Sequence, residues 1–386
     1  MVVVPPAPAL AAPECGPTGT ALTAAPWAMN RVDPAAAWRL TRGGGVTVAV
    51  IDSGVSANHP LLRGQVLPGR DFGDLPQQQG QCDLAGHGTV IAGIIAGKVG
   101  SGAPFNGVAP SARILPIRVL PDSKRTNDPN LPLRIAEAIR WAVDQGAKVI
   151  NLSLETLPRP ELEEAIKYAL SKQVVLVAAA GNQQQQQRNQ PAYPAGYPGV
   201  IAVAGLDEQG GHVGTSVSGD YVDIAGPGLN IVGPAPRGTG YLTIPEGGTS
   251  FAAAYVSGSA ALVRALAPDL TAAAVADRLT KTADNPPDGR NADVGYGMVN
   301  PYRAATELLG TRTNPPLGAM AVPPAEQDPW GDDRAVAIWV AVLGAVLAVL
   351  LLLVRPITRM GRARGWQPGR RQADAPEPSR PGPTAG

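Results

Sequence analysis

Six short runs of β-branched or other apolar residues recur along the chain: Val46–Ile51 (VTVAVI), Ile114–Val119, Lys148–Leu154, Val174–Ala180, Val200–Ala204 and Tyr221–Ala225. Gly and Pro bound them, and their near-continuous hydrophobicity predicts strands covered on both faces. Between them the apolar positions take a helical period. Leu133–Gln145 sets Ile135, Ile139, Ala142 and Val143 on one stripe, with Gly146 placed to end the helix. Glu161–Ser171 turns Leu162, Ile166, Ala169 and Leu170 inward. Ser250–Leu266 is small and apolar on every side, which predicts a central buried helix. Strands alternating with helices predict an α/β fold with a parallel sheet, whose sites form at the carboxyl ends of its strands. No fixed-period repeat is visible, and the glutamine runs at 77–79 and 183–187 read as loop insertions.

One apolar run is of another kind. Residues 335–354 (AVAIWVAVLGAVLAVLLLLV) carry no charge and no proline. At about 1.5 Å per residue they reach about 30 Å, the depth of a bilayer's hydrocarbon core. A buried core helix is the alternative, but core helices of this length are seldom apolar all round. Asp332, Asp333 and Arg334 precede the run, and Arg355, Arg359, Arg362, Arg364, Arg370 and Arg371 follow it. The positive-inside rule then puts residues 355–386 in the cytoplasm as an Arg-rich tail and everything before the span outside. Residues 311–334, rich in Pro, Gly and Asp, read as a linker. The last 20 or so residues, rich in Pro, Arg and Gly, are expected to be disordered.

An exported domain needs a leader. Residues 1–14 lack a basic start, and Val2–Val4 is too short for a signal core, although Ala9-Leu10-Ala11 resembles a cleavage site. The expectation is that residues 1–25 are an extension beginning inside or just after a signal peptide. Outside the cell, the two cysteines suggest one disulfide, Cys15–Cys82; two unpaired thiols are the alternative.

Composition narrows the function. The chain has 386 residues and a net charge of +1, without the basic excess of a nucleic-acid binder. The tail alone carries +5, so the rest is net acidic, and topology accounts for its arginines more simply than DNA does. Cys15, Cys82, His59, His87 and His212 show no zinc spacing, and the Asp71–Asp74 loop lacks an EF-hand pattern. No metal and no cofactor are therefore expected, and His59 and His212 read as ordinary loop residues.

Four segments carry candidate chemistry. Asp52 closes VAVID, His87 sits in GHGT, Asn182 ends AAAGN, and Ser250 heads a helix in GGTSFAAA. Singly, each has a bland reading as turn former, loop residue or helix cap. Together they fill every role in acyl transfer. A serine hydroxyl needs a base, histidine is that base near neutral pH, and a carboxylate fixes its tautomer. An amide side chain, with a backbone N–H at a helix start, stabilises the oxyanion.

In order and motif the chain resembles the subtilisin-like serine proteases, or subtilases, whose sequence order is Asp, His, Ser. NGVAP (106–110), KVINLSLE (148–155), YPGVIAVAG (197–205), VDIAGPG (222–228) and GYGMVNPYRA (295–304) extend the likeness over roughly 27–309. The resemblance implies a subtilisin-like catalytic domain over 26–310, with Asp52, His87 and Ser250 as the triad and Asn182 as the oxyanion donor. It further implies that Asn151, Leu152, Ser153 and Leu154 line the S1 and neighbouring subsites and pair with the substrate backbone. Glu155 stands where family members often have Gly, which bears on the size and charge of S1. PWAMNRVDPAAAWRLTRGGGVTVAVIDSGV (26–55), GTSFAAAYVSG (248–258), the C-terminal span and the Cys-bearing extension resemble the mycosins, membrane-anchored subtilases of type VII secretion systems. That likeness implies a protein substrate, a type VII membrane complex as partner, and an extension that wraps the catalytic domain rather than inhibiting it. Two competing functions are a chiefly structural role in the complex and a general degradative role at the cell surface. Among the departures, Ala254 replaces a usual Pro.

Overall fold

The computed structural model describes residues 15–73, 75, 78–100, 104–121, 128–182, 191–307, 331–363 and 365. The first 14 residues, the 183–187 glutamine run, most of the expected linker and most of the tail lie outside them. The chain divides into two compact units, Met1–Met320 and Ala321–Gly386.

The first unit is built on a seven-stranded parallel sheet. In chain order its strands and intervening helices are β1 (Thr47–Asp52), β2 (Arg70–Asp71), α2 (His87–Ala96), β3 (Arg113–Arg118), α3 (Leu131–Asp144), β4 (Val149–Leu152), α4 (Pro160–Ser171), β5 (Val175–Ala179), β6 (Val200–Leu206) and β7 (Ile224–Pro227). A short α1 (Trp27–Val32) precedes them; an antiparallel pair, β8 (Ile231–Pro234) and β9 (Tyr241–Ile244), and helices α5 (Thr249–Leu266), α6 (Ala272–Lys281) and α7 (Pro301–Thr306) follow. The sheet order is β2-β3-β1-β4-β5-β6-β7.

The pleat explains why the strands read as unbroken apolar runs. Val48 and Val50 of β1 and Val175 and Val177 of β5 face one core with α2 and α5. Ala49, Ile51, Leu176 and Ala178, the residues between, face a second core with α3 and α4. Both sides of the sheet are thus sealed by helices, as a parallel sheet requires. The six expected strands and three expected helices are present, with no end shifted by more than three residues. Val143 and Leu170 are only half-buried: each lies near its helix C-terminus, where the stripe runs out to the domain edge.

α5 is the central helix. Thr249 and every residue from Phe251 to Arg264 are buried, and only Ser250 of its first sixteen residues reaches partial exposure. Its buried serine hydroxyls are hydrogen-bonded: Ser257 Oγ donates to Asn151 Oδ1 (2.9 Å) and Ser259 Oγ to the Tyr255 carbonyl (2.8 Å). Ala254 is fully buried inside the continuous helix.

At the other end, Cys15 and Cys82 form a disulfide that closes a separation of 67 residues. Thr18 then pairs with Arg237, and Thr20 exchanges two backbone hydrogen bonds with Tyr241 (3.0 and 2.7 Å).

Among the described residues, the second unit holds one helix, α8 (Gly331–Ala363). It starts within the expected linker and runs past the expected span end, through Pro356. Arg and Met favour helix, so the apolar run can end before the helix does. Trp339–Ala363, 25 residues, is long and apolar enough to cross a membrane.

Candidate active site

The parallel sheet brings the key residues to one edge. Asp52 is the last residue of β1 and His87 the first of α2. They meet, with His87 Nδ1 2.7 Å from Asp52 Oδ1. Asp52 is wholly buried, while 14% of the imidazole is exposed. That asymmetry leaves the carboxylate to orient the ring and the ring to face a reactant. α2 can come so close to β1 only because residue 88 is glycine: a Cβ there would lie 2.1 Å from the Gly54 carbonyl oxygen.

A second buried carboxylate lies behind the first. Asp83 Oδ2 accepts from the Thr89 N–H (2.8 Å) and Thr89 Oγ1 (2.6 Å), and its Oδ1 accepts from the Gly86 N–H (2.8 Å). It thereby caps the otherwise unsatisfied start of α2 and anchors the helix that carries His87. Ser53 Oγ lies between the carboxylates, 3.1 Å from Asp52 Oδ1 and 2.8 Å from Asp83 Oδ1, and accepts from the Gly88 N–H (3.1 Å). Asp83 is a supporting residue that the four-segment pattern did not show. Its signal was faint: one acid four positions before His87, next to Cys82.

Charge follows geometry. Burial alone would lower the His87 pKa, but the Asp52 charge, its hydrogen bond and the Asp83 charge outweigh it and raise the pKa above 6.5. Burial raises the Asp83 pKa, with the Asp52 charge adding and the bonds from Thr89 and Ser53 opposing.

The other half of the site is the entry to α5. Gly247 (φ +60°) passes the Gly228 carbonyl so closely that a Cβ would sit 1.8 Å from its oxygen, and Gly248 (φ +141°) opens directly into the helix. Ser250 follows as its second residue. Its Oγ donates to the Ser153 carbonyl (3.2 Å), and Ser153 Oγ donates back to the Ser250 carbonyl (2.6 Å). Phe251 packs against His87, with ring centroids 5.2 Å apart, so the imidazole lies beside the turn that carries Ser250. Past β5, Asn182 Oδ1 accepts from the Thr249 N–H (3.2 Å). A backbone N–H only donates, which identifies the amide oxygen and leaves Nδ2 as the donor end.

The expected subsite residues divide. Asn151 and Leu152 are fully buried, and the Asn151 amide bonds to Ser153 Oγ (2.8 Å) and Ser257. Ser153 is the one that hydrogen-bonds to Ser250, and Leu154 is buried. Glu155 turns inward and accepts from the Asn182 N–H (2.8 Å). His59, expected in a loop, does lie outside any helix or strand but is buried edge-on to Tyr241, with centroids 5.3 Å apart. Burial lowers its pKa and that of His212.

Comparison with known proteins agrees with this architecture. Residues 43–297 match the Subtilase family. Mycosin-1 of Mycobacterium tuberculosis is 34% identical over 374 residues, spanning 84% of this chain and 83% of the relative. The structure of MycP3 protease from the type VII (ESX-3) secretion system superposes with a TM-score of 0.68 at 34% identity, covering 79% of this chain and 100% of the other. A chain of an intact ESX-5 inner membrane complex superposes with a TM-score of 0.67 at 31% identity, over 90% of this chain and 94% of its own.

Proposed function

The chain belongs to the subtilase family, and from that membership we propose that it is a membrane-anchored, extracytoplasmic serine endopeptidase of the mycosin kind, acting with a type VII secretion complex. Subtilisin-like serine endopeptidase activity comes with the family; the residue roles, the anchoring and the partner are the proposal.

Ser250 Oγ attacks the peptide carbonyl. A rotation about its side-chain bond moves its proton from the Ser153 carbonyl to His87 Nε2, the nitrogen opposite the one facing Asp52. Asp52 holds the tautomer and stabilises the imidazolium. The oxyanion that forms is met by Asn182 Nδ2 and by the Ser250 N–H, which its place in the first turn of α5 leaves without an intrahelical acceptor. The amine leaves with the proton from His87, and water then releases the acyl group from Ser250 by the same route. The observation that carries this reading is the 2.7 Å Asp52–His87 contact beside the α5 entry.

The apolar length of α8 supports the anchor. Exposed Arg355, Arg359 and Arg362 toward its C-terminal end support a cytoplasmic tail. The likeness to a chain within an ESX-5 membrane complex supports the partner. That same likeness, over 90% of this chain, favours a second reading in which assembly rather than cleavage is the required role.

One experiment separates the two. A fluorophosphonate probe should label the wild type and not Ser250→Ala, whose hydrolysis of peptide substrates should fall about 10⁶-fold. An unlabelled wild type would remove the nucleophile assignment. If secretion survives Ser250→Ala but fails in a deletion strain, the assembly role dominates.

A further inference from the structure

A groove of about 920 Å³ opens where β6 and β7 begin, at the end of the sheet away from Asp52 and Ser250. Ligand pockets run from about 300 to 1,000 Å³, so this one is large. Three tyrosines line it: Tyr197, Tyr221 and Tyr296. The hydroxyls of the first two are spent on the chain itself. Tyr197 Oη accepts from the Arg159 N–H (3.0 Å), and Tyr221 Oη donates to the Ala180 carbonyl (2.5 Å). What these rings offer the groove is therefore carbon, and Leu170, Ile201 and Ala273 add to it. An aromatic, apolar groove of this kind suits a proline-rich segment in the extended polyproline form.

We propose that this groove is the dock for Asn314-Pro315-Pro316-Leu317 of the same chain, a segment outside the described residues. Position supports the pairing. The Glu307 carbonyl, just past α7, accepts from Arg278 Nη2 of α6 (2.7 Å). Ala273, Ala276 and Thr280, which line the groove, lie about half a turn around α6 from Arg278. From 307 to 315 is eight residues. Extended, they reach about 26 Å, enough to round a helix about 10–12 Å across. Residues 314–317 also belong to the same compact unit as the groove. Chemistry points the same way. Pro315 and Pro316 have no N–H, so covering them strands no donor, and their fixed φ reduces the entropy lost on docking. Arg312, just upstream, matches a groove with two carboxylates, Asp223 and Asp277, against one Lys281. Docked there, the segment sets where the chain leaves the catalytic domain.

The test uses the full-length Ser250→Ala protein in detergent, so that no peptide is consumed, and a fluorescent synthetic peptide of residues 312–320 read by polarisation. A tethered segment competes at an effective concentration of about a millimolar, so the peptide should bind this protein weakly. Adding Pro315→Ser and Pro316→Ser empties the groove, and the peptide should then bind about ten- to fiftyfold more tightly. Ala273→Arg, made in that emptied protein at an exposed position of α6, fills the groove and should abolish binding. No binding to the emptied protein overturns the proposal. Equal affinity for the two proteins overturns it as well, because the groove then serves a segment of another molecule and not its own chain. Binding that survives Ala273→Arg puts the peptide elsewhere and has the same consequence. No readout depends on catalysis, so failure of the protease reading leaves the test intact.

Discussion

The two halves of the site are held in different ways. Around His87, two buried carboxylates, a shared hydroxyl and four backbone N–H groups lock together, and Asp52, Asp83, Ser53 and Thr89 are all fully buried. Around Ser250 the bonds are fewer: those from Ser250 Oγ to the Ser153 carbonyl and from the Thr249 N–H to Asn182 are both 3.2 Å, and only the bond from Ser153 Oγ to the Ser250 carbonyl, at 2.6 Å, is short. On the proposed roles, the base is fixed in advance, and the nucleophile and oxyanion side keeps bonds that a substrate can take over. Fixing the imidazole matters because its tautomer decides whether any proton moves. A serine proton parked on Ser153 needs only a rotation to be released.

This contrast predicts a gradient of effects. Asp52→Asn leaves the space filled but lets the ring take the wrong tautomer, and kcat should fall about 10⁴-fold in anilide hydrolysis. A loss below a hundredfold would mean that the locked half is not what orients the base. Asn182→Ala removes one donor from the looser half and should cost about 10²–10³ in kcat, with KM little changed. A KM effect alone would assign Asn182 to binding. Asp83→Ala strips the caps from α2 and should lower stability by about 3 kcal/mol, seen as an earlier denaturant midpoint. No shift would show that the helix start holds without it.

The smallest effect is in the pH profile. Because Asp52, with Asp83 behind it, raises the His87 pKa above 6.5 despite burial, the acid limb of kcat/KM should lie above pH 6.5. For stability the sign is opposite. The folded state favours the protonated ring, so that contribution is complete below 6.5 and disappears as pH rises through the higher folded pKa. Activity therefore appears over the range in which this stabilisation is lost. An acid limb at or below pH 6.5 would contradict the charge balance.

Legibility in the sequence followed burial. The strands were plain because both faces of each are covered, and α5 because every side of it is. β2 has two residues, and β8 ends in Gly233 and Pro234, so neither offers a pattern long enough to read. α6 carried a Thr271 cap and Val275 and Leu279 four apart, a modest signal beside the long apolar run before it. Asp52, His87, Asn182 and Ser250 stood out because chemistry limits which side chains can fill the proposed roles. Asp83 could not: its part is to bond to Gly86, Thr89 and Ser53, and three-dimensional neighbours leave no period in a sequence. Glu155 was visible as a departure from glycine, yet its inward turn toward Asn182 depends on where a distant loop lies.

The pairing of Thr20 with Tyr241 sets an order of assembly. A ribosome releases the first of these residues long before the second, and a contact between points so distant along the polypeptide forms slowly. The leading segment therefore cannot complete this pairing until synthesis has passed Tyr241 of β9, the strand just ahead of the central helix α5.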